Sequence, residues 1–326
     1  MNINNLIIDF LEYMEIERGS AVASVENYDR YLRRFAGFAR ANQVDVPEKI
    51  DHELLRKYHL WLHRLPVSPS QGGPDASKKE VISKVTANYH LIALRAFLKY
   101  LIKRGITVPS PEEIELAKTD ERQISFLDDE ELDLLLSKPD LNTIQGVRDR
   151  AILNLLFSTG LRVSELCNLK KNDVNLEKNE FSVVGKGGKV RVVFLDHEAK
   201  ESLERYLNAR DDKSEFMFLG YGHVNQAQNS KLKMQNITPR SVQRMIHKYA
   251  RMAGLTKKVT PHVLRHSFAT DLLMSGADIR SVQELLGHSS ITTTQIYTHV
   301  TDQHLAEVHQ AFHGLRRHQE ESKDSQ

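Results

Sequence analysis

Several side chains in the second half of the 326-residue chain are of types that act on anions. In Pro261-His262-Val263-Leu264-Arg265-His266, helical spacing puts His262, Arg265 and His266 near one face. Histidines so spaced admit a zinc site. The zincin pattern, however, needs Glu where this chain has Val263, and an arginine between two ligands repels a cation. An Arg–His pair suits an oxyanion better: guanidinium grips two phosphate oxygens, and imidazole exchanges a proton near neutral pH. A capped surface helix with local hydrogen bonds is the plain alternative. Arg162 follows Gly160, which breaks one helix and leaves the arginine near the start of the next, where its charge joins free backbone donors around an anion. The other reading of Arg162 is a surface salt bridge to Glu165, worth little. Lys186 stands between Gly185 and Gly187. No P-loop spacing and no βαβ setting surround it, so an ordinary basic turn and an ammonium that reaches a DNA groove to protonate a leaving oxygen both remain open. His288 follows Leu285-Leu286-Gly287, and Tyr297 lies in Ile296-Tyr297-Thr298-His299; taken singly, each reads as a structural residue.

The elements that must position these residues follow from periodicity. Leu6, Ile7, Phe10, Leu11 and Met14 recur at helical spacing until Gly19 and Ser20. A second helix follows Ser24, a third runs from about Glu53 to Leu65, and a fourth spans about Ser83 to Lys103, ending at Gly105. Between the last two, Val67 to Lys79 is rich in Ser, Pro and Gly and reads as a loop. The prediction is a four-helix unit over 1–106. Lys79, Lys84, Arg95, Lys99, Lys103 and Arg104 suit a DNA clamp, and a solvated packing module fits them equally. Residues 107–124 read as a linker, with prolines at 109 and 111. A second unit over 125–317 has helices at Asp128–Leu136, Thr143–Thr159 and Leu161–Leu169. The period then changes. Phe181–Val184 and Val190–Leu195 flank a glycine-rich turn as a hairpin, and Asp173–Leu176 adds a candidate third strand. Helices resume at Glu198–Leu207, Pro239–Met252, Pro261–Ser275, Ile279–Leu286 and Thr301–Arg316, and 318–326 read as a disordered tail. The fold class is therefore mainly α, with one small antiparallel β-sheet in the second domain.

Composition narrows the class. A 40% hydrophobic and 27% charged chain is ordinary for a soluble globular protein. The N-terminus does not read as a signal peptide, and no apolar run reaches membrane-span length. The one cysteine, Cys167, excludes an internal disulfide and disfavours a Cys-based zinc site; a reducing cytoplasm is the natural compartment. A net charge of +2 permits nucleic-acid binding without arguing for it.

In order along the chain stand TGLRVSEL, GKGGK, HVLRHSFAT and LLGHSSITTTQIYTHV. This set strongly resembles the tyrosine recombinase (phage integrase) family, closest in wording to bacterial Xer-type recombinases. The resemblance covers the chain from about Ser125 to the C-terminal helix. The first unit is similar, more loosely, to the family's core-binding, SAM-like domain. The resemblance implies that Arg162 and Arg265 bind the scissile phosphate and that Lys186 protonates the departing 5′ oxygen. It implies further that His262 assists proton transfer at the tyrosine, that His288 hydrogen-bonds the phosphate, and that Tyr297 is the nucleophile. His266 and Glu165 match the motifs as supports of the fold. The activity implied is DNA strand cleavage and rejoining through a 3′-phosphotyrosine, without metal or cofactor, in chromosome dimer resolution or in integration and excision of a mobile element. The implied partner is double-stranded DNA with an inverted-repeat site, and the implied setting is the nucleoid. Leu305, Val308, Phe312 and Leu315 form an apolar stripe, and the resemblance implies that it docks on a neighbouring protomer in a homo- or heterotetramer on two DNA sites; docking on its own domain is the alternative. The stretches 67–79 and 222–237 are longer than the compact Xer pattern.

Three other readings are distinguishable. A type IB topoisomerase shares the chemistry without partner exchange. A catalytically silent DNA-binding regulator would share the fold and form no covalent bond. A metal-dependent nuclease built on His262, His266 and His288 would fail in EDTA.

Overall fold

The computed structural model describes residues 1–66, 81–119, 125–185, 188–221, 235–288 and 290. The chain divides into two compact units, Met1–Arg122 and Gln123–Gln326. Lys186, Tyr297, the expected loop at 67–79, most of the 222–237 stretch, the expected C-terminal helix with Leu305, Val308, Phe312 and Leu315, and the tail lie outside the described residues.

The first unit is built from α1 (Ile3–Ile16), α2 (Val22–Ala41), α3 (His52–Arg64) and α4 (Lys84–Lys103). Side chains close the orphan amides at three of the N-termini: Asn2 accepts from Asn5, Asp51 from Leu54 and Ser83 from Thr86. α2 begins at Val22, three residues before the predicted start, on an extended Ala21 without a side-chain cap. Apolar faces converge on one core around Phe10, Phe35, Tyr58 and Phe97. Phe10 and Phe97 meet edge to face with centroids 5.7 Å apart. Part of the stretch expected as linker belongs to this core. Pro111 and Ile114 are buried, and Asn88 pins the chain by donating to Ala117 O at 2.8 Å and accepting from Ala117 N at 3.0 Å.

In the second unit, α5 (Asp129–Leu136), α6 (Ile144–Thr159) and α7 (Val163–Asn168) precede a three-stranded antiparallel sheet. Its strands are β1 (Val174–Asn175), β2 (Glu180–Val184) and β3 (Val190–Phe194), in that spatial order. Then come α8 (His197–Asn208), α9 (Pro239–Met252), α10 (Pro261–Met274) and α11 (Ile279–Leu286). α6 is buried on nearly every side and packs against α8 and α10, which makes it the unit's central helix. It is entered through a tight corner: a Cβ on Gly146 would fall 1.9 Å from Asp140 O, so only glycine fits. In the sheet, Phe181 pairs with Val193 and both face the core, while Val190, Val192 and Phe194 point outward.

Three features of this unit position the site. Gly160 ends α6 in the left-handed region at φ 58°, where a Cβ would also meet the Phe268 ring at 2.6 Å. Leu161 lies outside any helix and Arg162 is extended, which shortens the helix predicted over 161–169 to Val163–Asn168 and makes Arg162 its N-cap. α11 ends on Gly287 at φ 62°, and His288 follows.

Candidate active site

Arg162, Arg265 and Arg191 meet at the C-terminal end of α11. Helix ends leave carbonyl oxygens without intrahelical partners and carry the negative end of the helix dipole. Here three successive carbonyls are each taken by a different arginine. Arg191 Nε donates to Leu285 O at 3.0 Å, Arg265 Nη2 to Leu286 O at 2.5 Å, and Arg162 Nη2 to Gly287 O at 3.0 Å. Arg265 Nη1 also donates to the carbonyl of Gly160, so one buried guanidinium joins the end of α6 to the end of α11.

Glu165 ties two of these arginines together. Its carboxylate is only 7% exposed and bridges two arginines. Oε1 accepts from Arg162 Nη1 at 2.8 Å and from Arg191 Nη1 at 2.9 Å. Oε2 accepts from the backbone amide of Arg162 at 2.9 Å and from Arg191 Nη2 at 2.7 Å. The surface salt bridge that the sequence allowed between Arg162 and Glu165 is therefore one edge of a buried network. Burial alone would raise the carboxyl pKa, but hydrogen bonds from Arg191 and Arg162 override it and hold the group at about 2. Glu165 is thus an anion throughout the physiological range.

The histidines meet the opposite condition. Burial, reinforced by the charges of Arg265 and Arg162, pushes His262 below the usual imidazole value. His288 is pushed down to about 4 by burial and then by Arg265, Arg162, His266 and Arg191. His266 reaches about 4 through burial, His262 and Arg265. At neutral pH all three are neutral imidazoles beside fixed cations. A neutral His262 can accept a proton, and a neutral His288 can donate one N–H to an anion without adding charge of its own.

The hairpin reaches the same place. Gly185 N donates to Lys189 O at 2.7 Å across its neck. A Cβ on Gly185 would lie 3.5 Å from Nη1 of both Arg162 and Arg191, so the residue before Lys186 stands directly beside the guanidinium pair. A cleft of about 650 Å³ opens alongside, lined by Arg191, Leu285, Gly287 and His288. Of the residues expected from sequence, the structure gathers Arg162, His262, Arg265 and His288; Lys186 and Tyr297 lie outside the described residues.

Sequence reasoning missed Arg191. Its signal was present: residues 191 and 193 share one side of β3, Val193 is buried there, and Leu195 is buried just past the strand's end. An arginine on the inward register of a strand requires a partner. Among the described residues, no group of three His, Cys, Asp or Glu side chains is placed to hold a metal ion.

Two family models match the chain. "Phage integrase family" covers residues 125–304, and "Phage integrase, N-terminal SAM-like domain" covers residues 7–105. Tyrosine recombinase XerD of Listeria monocytogenes serotype 4b (strain F2365) is 35% identical over 319 residues, which is 95% of this chain and 99% of that protein. Tyrosine recombinase XerC of Pelobacter propionicus (strain DSM 2379 / NBRC 103807 / OttBd1) is 36% identical over 93% of each chain. Among solved structures, XerH site-specific recombinase bound to difH substrate, in a pre-cleavage complex, is 25% identical with a TM-score of 0.63, over 93% of this chain and 83% of that one. The Tn1549 transposon integrase in complex with transposon right end DNA has a TM-score of 0.69 at 19% identity, over 96% of this chain and 99% of that one, and shares the fold. A match over both units at this level, on a chain whose arginines and histidines gather at one helix end, leaves one conclusion: the chain belongs to the phage integrase family and is a tyrosine-type site-specific recombinase.

Proposed function

We propose that Tyr297 attacks a DNA phosphodiester held by Arg162, Arg265 and His288, giving a 3′-phosphotyrosine and a free 5′ hydroxyl. The observation that carries this reading is the convergence of Arg162 and Arg265 with His288 at the end of α11. A phosphodiester is anionic and repels nucleophiles, and its charge is redistributed as the fifth oxygen bond forms. Two guanidinium groups answer that charge with fixed donors. Each is anchored by carbonyls or by Glu165, so neither must reorganise when the transition state forms.

Tyrosine ionises near about 10, so its proton needs an acceptor at neutral pH. His262 is the acceptor in this reading, because its surroundings keep it unprotonated. Lys186, which the sequence puts between the two hairpin strands, donates a proton to the departing 5′ oxygen. The tyrosyl–phosphate bond retains the phosphodiester's energy. The 5′ hydroxyl of a partner strand can therefore reverse the step on new DNA without a nucleotide cofactor.

The first unit, 1–106, and the catalytic unit, 125–317, both bind double-stranded DNA. The inverted-repeat site binds two protomers, and the segment with Leu305, Val308 and Phe312 links four protomers on two sites by docking on the neighbouring copy. No described helix is long and apolar enough to cross a membrane, and the reading places the chain on the nucleoid. Chromosome dimer resolution and movement of an integrating element use the same chemistry.

The test is covalent trapping. A nicked duplex loses its short 5′-hydroxyl fragment after cleavage, so an active chain becomes trapped on the DNA. The wild-type chain traps; Tyr297→Phe binds the same duplex and does not. A chain that binds and never traps is a silent DNA-binding protein, and trapping by Tyr297→Phe refutes the nucleophile.

A further inference from the structure

The geometry points to Arg191 as a positioning residue for strand cleavage, locking the hairpin that carries Lys186 to Arg162 and to the turn that carries His288. This rests on the functional reading above.

Arg191 faces the core register of β3, with a side chain only 8% exposed. A valine or isoleucine would fill such a position without bringing a charge out of water. The arginine is matched instead to three acceptors on two elements remote in sequence. Nη1 and Nη2 take one oxygen each of Glu165, at 2.9 and 2.7 Å, and Nε takes Leu285 O at 3.0 Å. The planar fork holds both carboxylate oxygens in parallel and turns Nε to a third acceptor; a lysine ammonium offers its donors from a single atom and cannot reproduce that spacing.

The consequences reach each part of the site. Each Glu165 oxygen that accepts from Arg191 also accepts from Arg162, so Arg191 fixes the carboxylate against which the Arg162 guanidinium is set. The bond to Leu285 fixes the end of α11, two residues before Gly287, whose carbonyl Arg162 holds, and three before His288. Gly287 has φ 62°, and a Cβ there would sit 2.9 Å from Arg191 Cδ. Its absent side chain is what lets the arginine pass. Finally, Arg191 Nη1 lies against Gly185, the residue before Lys186. A shift of the hairpin and a shift of the phosphate-binding turn are therefore coupled through one side chain.

The experiment uses the full chain and a nicked duplex carrying the inverted repeat that the chain itself selects from a randomised DNA library. Arg191→Lys keeps the positive charge and removes the fork; Arg191→Gln removes both. DNA affinity and trapping rate at saturating protein are measured separately, with the melting midpoint of each variant. We expect affinity within about threefold of wild type and a trapping rate lower by about 10²-fold, the scale of a misplaced reacting group. In a Glu165→Gln background the same lysine substitution should add little, because the pair acts as a unit. If Arg191→Gln melts, the lysine variant carries the comparison. An Arg191→Lys chain that melts like wild type and traps at the wild-type rate overturns the inference while leaving the functional reading intact. So does a loss of rate no greater than the loss of DNA binding. A wild-type chain that traps no DNA removes the functional reading itself.

Discussion

Arg162 donates from Nη2 to the carbonyl of Gly287 at 3.0 Å, across 125 residues of sequence. The bond ties the turn between α6 and α7 to the turn after α11, and so sets an arginine beside His288. The carbonyls of Leu285 and Leu286, bound by Arg191 and Arg265, complete the junction. An arginine-bound helix end thus serves as the common reference for Arg162, Arg265 and His288. Its weak points are chemically distinct and can be tested separately.

Gly287→Ala should damage the site most locally. The residue has φ 62°, and a new Cβ would meet Arg191 Cδ at 2.9 Å. Left-handed backbone costs a non-glycine residue about 1–3 kcal/mol, and the close contact adds to it. A lowered unfolding midpoint together with slower covalent trapping is expected. Unchanged trapping would show that the turn tolerates a shift of Arg191.

Glu165→Ala removes the anion shared by Arg162 and Arg191. Breaking a buried pair by deleting one partner costs about 3–5 kcal/mol, because the other charge is left uncompensated. Denaturant titration of the full chain should show the second unit losing stability on that scale. A loss below about 1 kcal/mol, typical of an exposed ion pair, would contradict the burial of this network.

Acid should weaken the fold before the carboxylates do. His266 and His288 titrate at about 4 in the folded chain, against 6.5 in the reference state, and His262 is also lowered. A depressed imidazole pKa means that the unfolded chain binds more protons between the two values, so stability falls as pH drops from 6.5 toward 4. His90, buried between α2 and α4 beside Arg34, is likewise at about 4 and adds the same sign in the first unit. Glu165, held at about 2, contributes its loss only below 4.5. Denaturant midpoints at pH 7, 5.5 and 4.5 check this; constant stability down to pH 4.5 would contradict the neutral histidines.

Much of this was legible in sequence. α9 and α11 begin and end where Pro239–Met252 and Ile279–Leu286 were read: proline at the first helical position marks the start of α9, and Gly287 just past Leu286 marks the end of α11. The hairpin was legible from β-branched runs about a glycine turn. Arg162, His262, Arg265 and His288 were legible as motif residues, yet periodicity says nothing about which carbonyls an arginine reaches. Glu165 looked like half of a surface pair because its second partner, Arg191, lies 26 residues away on a strand. The burial of Ile114 was hidden by the charges and prolines around it, which made a packed segment look like free linker.

Metal removal separates the proposed chemistry from a hydrolytic nuclease. Arg265 stands between His262 and His266 on α10, and the positive field that lowers both imidazoles also opposes a divalent cation. Covalent trapping in EDTA should proceed at the rate seen without it. Abolition by EDTA and recovery with added zinc or magnesium would favour the nuclease.

The most direct measurement identifies the protein–DNA bond itself. Trapped complex from the wild-type chain is digested with protease and nuclease, and the surviving nucleotide-bearing peptide is sequenced by mass spectrometry. One adduct is expected, a 3′-phosphate ester on Tyr297. An adduct on any other side chain, or a 5′-phosphate linkage, would contradict it.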